Sequence, residues 1–355
     1  MNLLDDPSVL EKLDPSGMLE LSARLPHNCR EGWEQGLAWT VPPRLSRCQQ
    51  VLVLGMGGSA IGADLLVGLL GNKLKRPISV NRTYRIPAWV DSNTLVLACS
   101  YSGNTEETLS GVKEALRKKV SVAAISSGGA LAQMSLKKGL PFLRIPGGLP
   151  PRSAIGYLAF APMGLLVQLG WVRTGDLPVE KACQYVEKLI ETQLGPHVRS
   201  SGNPAKKIAA QLMGRLPVLY GAAGGWEGIT YRWRTQLEEN AKTLAFHHIV
   251  PEATHNEISG WVQPRGLMRH SAAVFITDLG IHPRTLKRME FTAGLIRRQG
   301  AAVLKASVTG STSVFSRMLG LVSLGDFISI YLACAYKINP TPVERVEALK
   351  KFMKK

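Results

Sequence analysis

The fold of this chain is predicted from a stretch of nine residues, Ser100-Tyr-Ser-Gly-Asn-Thr-Glu-Glu-Thr108. The apolar run before it, residues 93–99, is typical of a buried parallel strand. After it, Leu109, Val112 and Leu116 recur at helical spacing, which predicts a helix over residues 106–118. The stretch therefore ends a strand and begins a helix, which is where open α/β sheets bind their ligands.

The composition of this turn predicts an anion site. Free backbone N–H groups and the positive end of the helix dipole favour negative charge at the start of a helix. The hydroxyls of Ser100, Ser102 and Thr105 add donors, and Gly103 lets the backbone approach a ligand closely. We expect a phosphate held by hydroxyls and amides. The alternative is an ordinary strand-to-helix turn, because Ser, Thr and Asn commonly cap helices.

Composition limits the class of protein. A chain of 355 residues, with 45% hydrophobic and 19% charged residues, suits one large or two medium domains and excludes general disorder. The net charge of +17 favours anionic partners. The basic residues are nevertheless scattered, apart from Lys350, Lys351, Lys354 and Lys355 near the end. We therefore expect a basic enzyme surface and no nucleic-acid partner.

Cysteine usage and hydropathy indicate a cytoplasmic protein. The five cysteines are odd in number and include no Cys-x-x-Cys pair, so we expect neither disulfides nor structural zinc. The first residues lack a signal-peptide pattern. Two long apolar stretches, residues 153–171 and 318–336, contain Pro162 and Asp326 and are interpreted as buried helices, with no membrane partner.

Strand and helix patterns alternate along most of the chain, which predicts βαβ units and parallel sheets. Residues 1–48 are interpreted as an N-terminal helical arm. A first subdomain, residues 49–175, has strands expected over residues 50–55, 78–81, 93–99, 120–125 and 142–145. A second, residues 176–355, has strands expected over residues 216–220, 272–277 and 302–306, and a helix over residues 226–246. Glycines follow Tyr220 much as they follow Leu54, a weak sign of two copies of one subdomain.

A second glycine-rich turn, Gly55-Met-Gly-Gly-Ser-Ala60, follows the first expected strand. It resembles a dinucleotide fingerprint, but the expected acidic residue is replaced by Asn81-Arg82, which suits only a 2′-phosphate. An NADP-dependent oxidoreductase is therefore one alternative. A dinucleotide fold does not need a second phosphate loop, so two loops converging on a small monophosphate fit the sequence better.

A third group of residues has a weaker signal of its own. On a helical projection Glu239 lies nearly opposite the apolar face that begins at Trp233. Without further information this helix surface is interpreted as solvated, with Glu238 and Lys242 as an ion pair. By the same reasoning His255 is a loop histidine and residues 151–153 start a helix.

Taken together, the motifs resemble the bifunctional phosphoglucose/phosphomannose isomerases, members of the sugar isomerase (SIS) superfamily. The resemblance rests on Gly-Met-Gly-Gly-Ser (55–59), Ser-Tyr-Ser-Gly-Asn-Thr-Glu-Glu-Thr (100–108), Pro-Arg-Ser (151–153), Glu-Asn-Ala-Lys (239–242) and His-Asn-Glu-Ile-Ser-Gly-Trp (255–261). It extends from about residue 50 to the C-terminus and leaves residues 1–48 unexplained. It implies two SIS subdomains, each a parallel sheet flanked by helices in a three-layer αβα arrangement.

The resemblance also implies a substrate and a set of roles. A hexose 6-phosphate would bind through its phosphate to Gly58, Ser59, Ser100, Ser102 and Thr105. Glucose 6-phosphate or mannose 6-phosphate would then be interconverted with fructose 6-phosphate through a cis-enediol.

In that reaction Glu239 is the expected base, Arg152 would stabilise the enediolate, and His255 would open the sugar ring. The family supplies this histidine from the neighbouring subunit, which implies a homodimer. A lysine near the C-terminus completes the site, with Lys350 preferred and Lys351 the competitor. No metal or other cofactor is implied. The alternatives are a non-catalytic sugar-phosphate-binding SIS module and an isomerase of another sugar phosphate.

Overall fold

The computed structural model describes residues 3–353 of the chain, in which the strands form two parallel sheets. The first sheet has the strand order β2-β1-β3-β4-β5, formed by β1 (Gln50–Leu54), β2 (Ile78–Asn81), β3 (Thr94–Cys99), β4 (Ser121–Ser126) and β5 (Phe142–Arg144). The second has the order β7-β6-β8-β9, formed by β6 (Leu216–Ala222), β7 (Phe246–Val250), β8 (Ser271–Ile276) and β9 (Ala302–Ala306). The predicted α/β class with two parallel sheets is confirmed.

Helices alternate with these strands and precede them. They are α1 (Pro7–Leu13), α2 (Met18–Ala23), α3 (Leu25–Ala38), α4 (Gly57–Leu70), α5 (Glu106–Arg117), α6 (Gly129–Lys138), α7 (Ile155–Gln168), α8 (Val179–Leu189), α9 (Pro204–Leu212), α10 (Glu227–Asn240), α11 (Arg265–Arg269), α12 (Pro283–Arg298), α13 (Val314–Ala335) and α14 (Glu344–Phe352).

The described chain divides into two compact units, each built around one sheet. The first-sheet unit contains residues 24–184 and 224–228, and the second-sheet unit contains residues 3–23, 185–223 and 229–353. Residues of the N-terminal arm thus belong to both units. The division of the chain at residues 48 and 175 stays a prediction.

The core of the first-sheet unit lies on both faces of its sheet. Strand β3 is buried along its whole length, as its continuous apolar sequence predicts. On one face the core includes Leu54, Val96 and Val112. Elsewhere in the unit α3 packs closely against α7, since a Cβ atom on Gly36 would lie 2.3 Å from the carbonyl oxygen of Ala161.

The second-sheet unit is built around α13. This helix is long and apolar enough to cross a membrane, but 94% of its most apolar window is buried inside the protein. Its two charged residues are paired with buried partners, Arg317 with Asp278 and Asp326 with Arg232. The prediction of a buried helix over residues 318–336 is confirmed.

The helix predicted over residues 226–246 is wrong at its C-terminal end. Helix α10 ends at Asn240, and residues 246–250 form strand β7. Lys242 has a φ of +54°, which cannot continue a helix, and its Nζ donates to the carbonyls of Glu239 (2.7 Å) and Asn240 (3.2 Å). The predicted pair of Glu238 with Lys242 is also wrong, because the lysine ammonium binds these terminal carbonyls instead.

Candidate active site

The first sheet changes its direction of winding between β1 and β3. These strands are neighbours, yet β2 lies beside β1 and β4 lies on the far side of β3. The loops after β1 and β3 therefore emerge side by side at the carboxyl edge, at a topological switch point where such sheets bind ligands. The backbone N–H of Tyr101 donates to Ser59 Oγ at 3.2 Å, so the two glycine-containing loops are in direct contact.

The loop after β3 is ordered by its own hydroxyls. Ser100 is buried, and its Oγ lies 2.9 Å from Thr105 Oγ1 and accepts from the Gly103 N–H at 3.1 Å. Ser102 is exposed, and its Oγ accepts from the Asn104 N–H at 3.2 Å. Because a hydroxyl that accepts still has its own proton to give, Ser102 is able to donate to an anion outside the loop.

The Gly103 backbone lies directly against the next loop of the sheet. Its φ is +68°, and a Cβ atom there would lie 1.8 Å from the carbonyl oxygen of Gly128. The Ala130 N–H donates to Asn104 Oδ1 at 2.9 Å. The sequence analysis missed this supporting turn after β4, although its signal, Ser126-Ser-Gly-Gly129, is present in the sequence.

Tyr101 ties the same loop to two further segments. Its carbonyl accepts from Ser127 Oγ at 2.7 Å, and its hydroxyl accepts from the Leu149 N–H at 2.8 Å. The ring is buried, and burial raises the pKa of the Tyr101 hydroxyl. Sequence reasoning gave this residue no role, but it holds the predicted phosphate loop in place.

Arg152 belongs to the same unit as both loops. It lies in a short 3-10 turn, Pro151–Ala154, and is 4% exposed. A Cβ atom on Gly58 would lie 3.2 Å from the Pro151 carbonyl oxygen and 3.8 Å from the Arg152 Cα atom. The first-sheet unit therefore brings together Gly58, Ser59, Ser100, Ser102 and Thr105 with the backbone of Arg152.

Glu239 lies in the second-sheet unit, next to the last residue of α10, and is partly buried. Its neighbour Asn240 is buried and donates through Nδ2 to Ser329 Oγ at 2.9 Å. At the preceding residue, burial raises the pKa of the Glu238 carboxyl. The nearby Arg234 guanidinium offsets only part of this increase. The end of α10 thus presents two adjacent, partly buried carboxylates, Glu238 and Glu239.

His255 and Lys350 also belong to the second-sheet unit. His255 is exposed at the end of a 3-10 turn, Glu252–His255, in the loop after β7. Lys350 and its competitor Lys351 are exposed on α14. Lys354 and Lys355 lie outside the described residues.

The features that suggested other chemistries have local partners. Arg82, considered for a 2′-phosphate, forms an ion pair with Asp64 on α4. The rings of His247 and His248 stack on Tyr231 and Tyr220, with centroids 5.4 and 5.8 Å apart. Among residues 3–353, no group of three or more His, Cys, Asp or Glu side chains is arranged to hold a metal ion.

Comparison with known proteins finds relatives that match most of the chain. A family model described as the bacterial phospho-glucose isomerase C-terminal SIS domain matches residues 201–353. A bifunctional phosphoglucose/phosphomannose isomerase of Caldicellulosiruptor bescii is 38% identical over 333 residues, 94% of this chain and 98% of that protein. Another, of Thermoplasma acidophilum, is 33% identical over 87% of this chain and 91% of that protein.

Among solved structures, a hypothetical protein from Thermus thermophilus matches with a TM-score of 0.74. The two share 16% sequence identity, and the match covers 99% of this chain and 94% of that one. At this identity the likeness is one of fold.

Proposed function

The chain belongs to the bifunctional phosphoglucose/phosphomannose isomerase family, and from this premise we propose that it interconverts glucose 6-phosphate and mannose 6-phosphate with fructose 6-phosphate. It is an aldose–ketose isomerase of the SIS class. The observation that supports the substrate class is the contact between the loops after β1 and β3, through Tyr101 N–H and Ser59 Oγ at 3.2 Å.

The phosphate group binds to these two loops. Gly58 and Ser59 begin α4, and Ser100, Ser102 and Thr105 precede α5, so two helix N-termini and several hydroxyls are available to one dianion. The exposed hydroxyl of Ser102 supports this assignment, since its oxygen already accepts a backbone hydrogen bond and its proton is available for donation.

Glu239 is the base of the reaction. It removes the proton from C2 of the aldose, forming a cis-enediol, and returns a proton to C1 of the ketose. One carboxylate suffices, because the same group carries the proton from C2 to C1, while a second proton moves from O2 to O1. General-base catalysis of this kind contributes roughly 10²- to 10⁴-fold. Because the substrate is neither oxidised nor reduced overall, the reaction requires no redox cofactor.

The remaining roles concern charge and ring opening. Arg152 stabilises the negative charge of the enediolate, an electrostatic role that suits its buried position. His255 passes a proton to the ring oxygen while the anomeric hydroxyl gives one up. This histidine acts in the site of the neighbouring subunit, so the active form is a homodimer. Lys350 completes the site, with Lys351 as the alternative.

We assign the protein to carbohydrate metabolism in the cytoplasm. Its five cysteines are buried free thiols, which supports a reducing compartment.

A coupled assay tests the proposed function. Purified protein is given fructose 6-phosphate without added metal, and glucose 6-phosphate and mannose 6-phosphate are measured separately. Both products are expected. One product alone would narrow the substrate range, whereas tight binding of 6-phosphogluconate without either product would favour a non-catalytic sugar-phosphate-binding module.

Substitution at the end of α10 tests the base. Glu239→Gln is expected to abolish exchange of the C2 hydrogen with solvent deuterium while 6-phosphogluconate still binds. Glu238→Gln is the matched control, because it removes the same charge from the adjacent position. Exchange retained in Glu239→Gln would remove Glu239 as the base.

A further inference from the structure

A buried polar cluster lies beneath the loop that carries His255. Tyr220, on the central strand β6, donates its hydroxyl proton to Glu257 Oε1 at 2.5 Å. The Trp261 indole N–H donates to the same carboxylate oxygen and to the Tyr220 hydroxyl, both at 2.6 Å. Two side chains, Tyr220 and Trp261, therefore donate to one carboxylate oxygen of Glu257, which gives the cluster a single defined geometry.

The cluster is anchored in the core of the second-sheet unit. Tyr220 is fully buried, and its ring stacks on Phe275 of strand β8 with centroids 4.6 Å apart. Burial, with Glu257 beside it, raises the pKa of the Tyr220 hydroxyl, so it stays protonated and donates. Trp261 is 5% exposed. The carboxylate is thus held by donors that belong to the rigid sheet and to the far end of the loop.

The loop above this cluster has a second fixed point at Thr254, whose Oγ1 donates to the Pro251 carbonyl at 2.6 Å and accepts from Arg288 Nη1 at 2.9 Å. Between β7 and α11, Ala253 and Trp261 are buried and Glu257 is partly buried, whereas His255, Asn256 and Ser259 are exposed. Glu257 is only two residues from His255, and the Asn256 side chain accepts from the Glu257 N–H at 2.6 Å. The backbone on the C-terminal side of His255 is therefore held through the Glu257 carboxylate, while Thr254 holds it on the N-terminal side.

We propose that Glu257, bound by Tyr220 and Trp261, is the positioning residue for His255. This inference rests on the proposed function, in which His255 opens the sugar ring. The cluster does not touch substrate in this proposal; it keeps the exposed imidazole at the orientation that proton transfer to the ring oxygen requires. A displacement of about 1 Å is enough to lower a catalysed rate by roughly a hundredfold.

The test compares cyclic and open-chain substrates. Glu257→Ala and Tyr220→Phe are expected to lower kcat on fructose 6-phosphate by about ten- to a hundredfold, with KM changed less than about twofold. On 5-deoxyfructose 6-phosphate, which cannot close a furanose ring, solvent deuterium incorporation should proceed at close to the wild-type rate. An equal loss of rate on both substrates, as a general loss of folded structure would produce, would overturn the proposal.

Combination with His255→Ala gives a second, independent readout. If Glu257 acts through His255, Glu257→Ala should change kcat by less than about twofold in the His255→Ala background. Full additivity would overturn the proposal. Glu252→Gln is the matched control, because it removes an exposed carboxylate from the same loop, and its kcat should equal that of wild type.

The variants also separate this inference from the proposed function. No turnover by wild-type protein would refute the isomerase itself. Normal turnover by His255→Ala would refute ring opening by His255 and the positioning role with it. If Glu257→Ala does not fold, Tyr220→Phe decides the question, because it removes a single oxygen atom.

Discussion

At the scale of single residues, Gly103 determines whether the loop after β3, to which we propose that the phosphate binds, packs against the loop after β4. Gly103→Ala places a Cβ atom 1.8 Å from the Gly128 carbonyl oxygen, so the backbone of one of the two turns has to move. We expect 6-phosphogluconate to bind more than about tenfold more weakly, since the hydroxyls and amides no longer converge. Isothermal titration calorimetry measures this change.

The control for that substitution is Gly139→Ala. Gly139 also has a positive φ, +60°, but nothing lies within 4 Å of its Cβ position. It therefore carries the same left-handed backbone cost, about 1–2 kcal/mol, without the collision. Equal binding losses in the two variants would show that backbone strain, and not contact with Gly128, sets the effect.

His247 makes a pH-dependent contribution to stability. Burial, with Arg234 and His248 nearby, lowers its pKa from 6.5 to about 4. The unfolded chain therefore binds a proton near pH 6.5 that the folded chain does not take up until about pH 4. The contribution of His247 to the free energy of unfolding is therefore complete above pH 6.5. It is lost as the pH falls towards 4, by at most roughly 3 kcal/mol.

Urea unfolding of wild type and His247→Gln at pH 7, 5.5 and 4.5 measures this contribution. The difference between the two proteins isolates His247 from the carboxylates that titrate in the same range. We expect the variant to lose less stability on acidification. Parallel curves for the two proteins would show that His247 is not held neutral.

The loop after β3 also shows which features of single residues can be predicted from a sequence and which cannot. The anion site predicted at Ser100, Ser102 and Thr105 rests on their residue types and on their place after a strand, which are local features of the sequence. The hydrogen bonds that hold this loop in place are not local, because the Tyr101 hydroxyl accepts from the N–H of Leu149, which is 48 residues away along the chain. Local patterns reveal which groups are available to a ligand, whereas long-range hydrogen bonds fix where those groups point.

At the scale of elements, α10 is held by a stripe of buried polar residues. Arg232, Gln236 and Asn240 recur every four residues along the helix and bind Asp326 or Ser329 of α13. The Trp233 indole N–H donates to the Leu321 carbonyl at 2.8 Å. Such bonds fix the rotation of α10 about its axis and therefore the direction in which Glu239 projects.

Removing one partner of the buried ion pair between Arg232 and Asp326 should strongly lower the free energy of unfolding. Asp326→Ala removes the carboxylate that binds the buried Arg232 guanidinium, and we expect a loss of about 3–5 kcal/mol in the free energy of unfolding. The double variant Arg232→Met with Asp326→Leu should recover part of it, since apolar residues of similar volume replace buried pairs well, although the buried Gln236 amide still loses its acceptor. Denaturant unfolding of both variants measures the difference.

An exposed arginine–aspartate pair serves as the control. Arg173 and Asp176 are bonded at 3.0 Å, but the arginine side chain is 86% exposed. Asp176→Ala should unfold at nearly the wild-type denaturant concentration. If Asp326→Ala were equally mild, the polar stripe would not fix α10.

Element boundaries show a limit of sequence patterns. The apolar spacing of Trp233, Leu237 and Ala241 predicts α10, and Leu244 extends the same pattern although it is 61% exposed. The end of the helix depends on Lys242, whose Nζ also binds the Pro340 carbonyl at 2.9 Å, close to the start of α14. A partner so distant in sequence is invisible to a periodicity argument, and strand β7 was missed with it.

At the scale of the whole molecule, the two sheets repeat one topology. The order β7-β6-β8-β9 reproduces β2-β1-β3-β4. The weak glycine repeat predicted this duplication, because it follows the first strand of each copy. The loops after the third strands have diverged, since the turn after β8 carries Asp278, a carboxylate that pairs with Arg317. A carboxylate there disfavours a phosphate, which supports our proposal that the phosphate binds to the first copy.

The assembly proposed for the active enzyme makes a prediction about mixed dimers. If His255 acts in the partner's site, a dimer of one Glu239→Gln copy and one His255→Ala copy contains one intact site and one doubly damaged site. An equal mixture of the two inactive variants, refolded together, should therefore recover about a quarter of the wild-type activity, because half of its dimers are mixed and each has one working site of two.

The alternative arrangement predicts a different number. If Glu239 and His255 serve the same site from one chain, each site of a mixed dimer carries one substitution, and mixing restores nothing. Refolding each variant alone controls for the residual activity of a single substitution. Size-exclusion chromatography with light scattering establishes that the refolded species are dimers. The assay thus separates exchange of His255 between subunits from dimerisation alone, because only the former makes two inactive proteins active together.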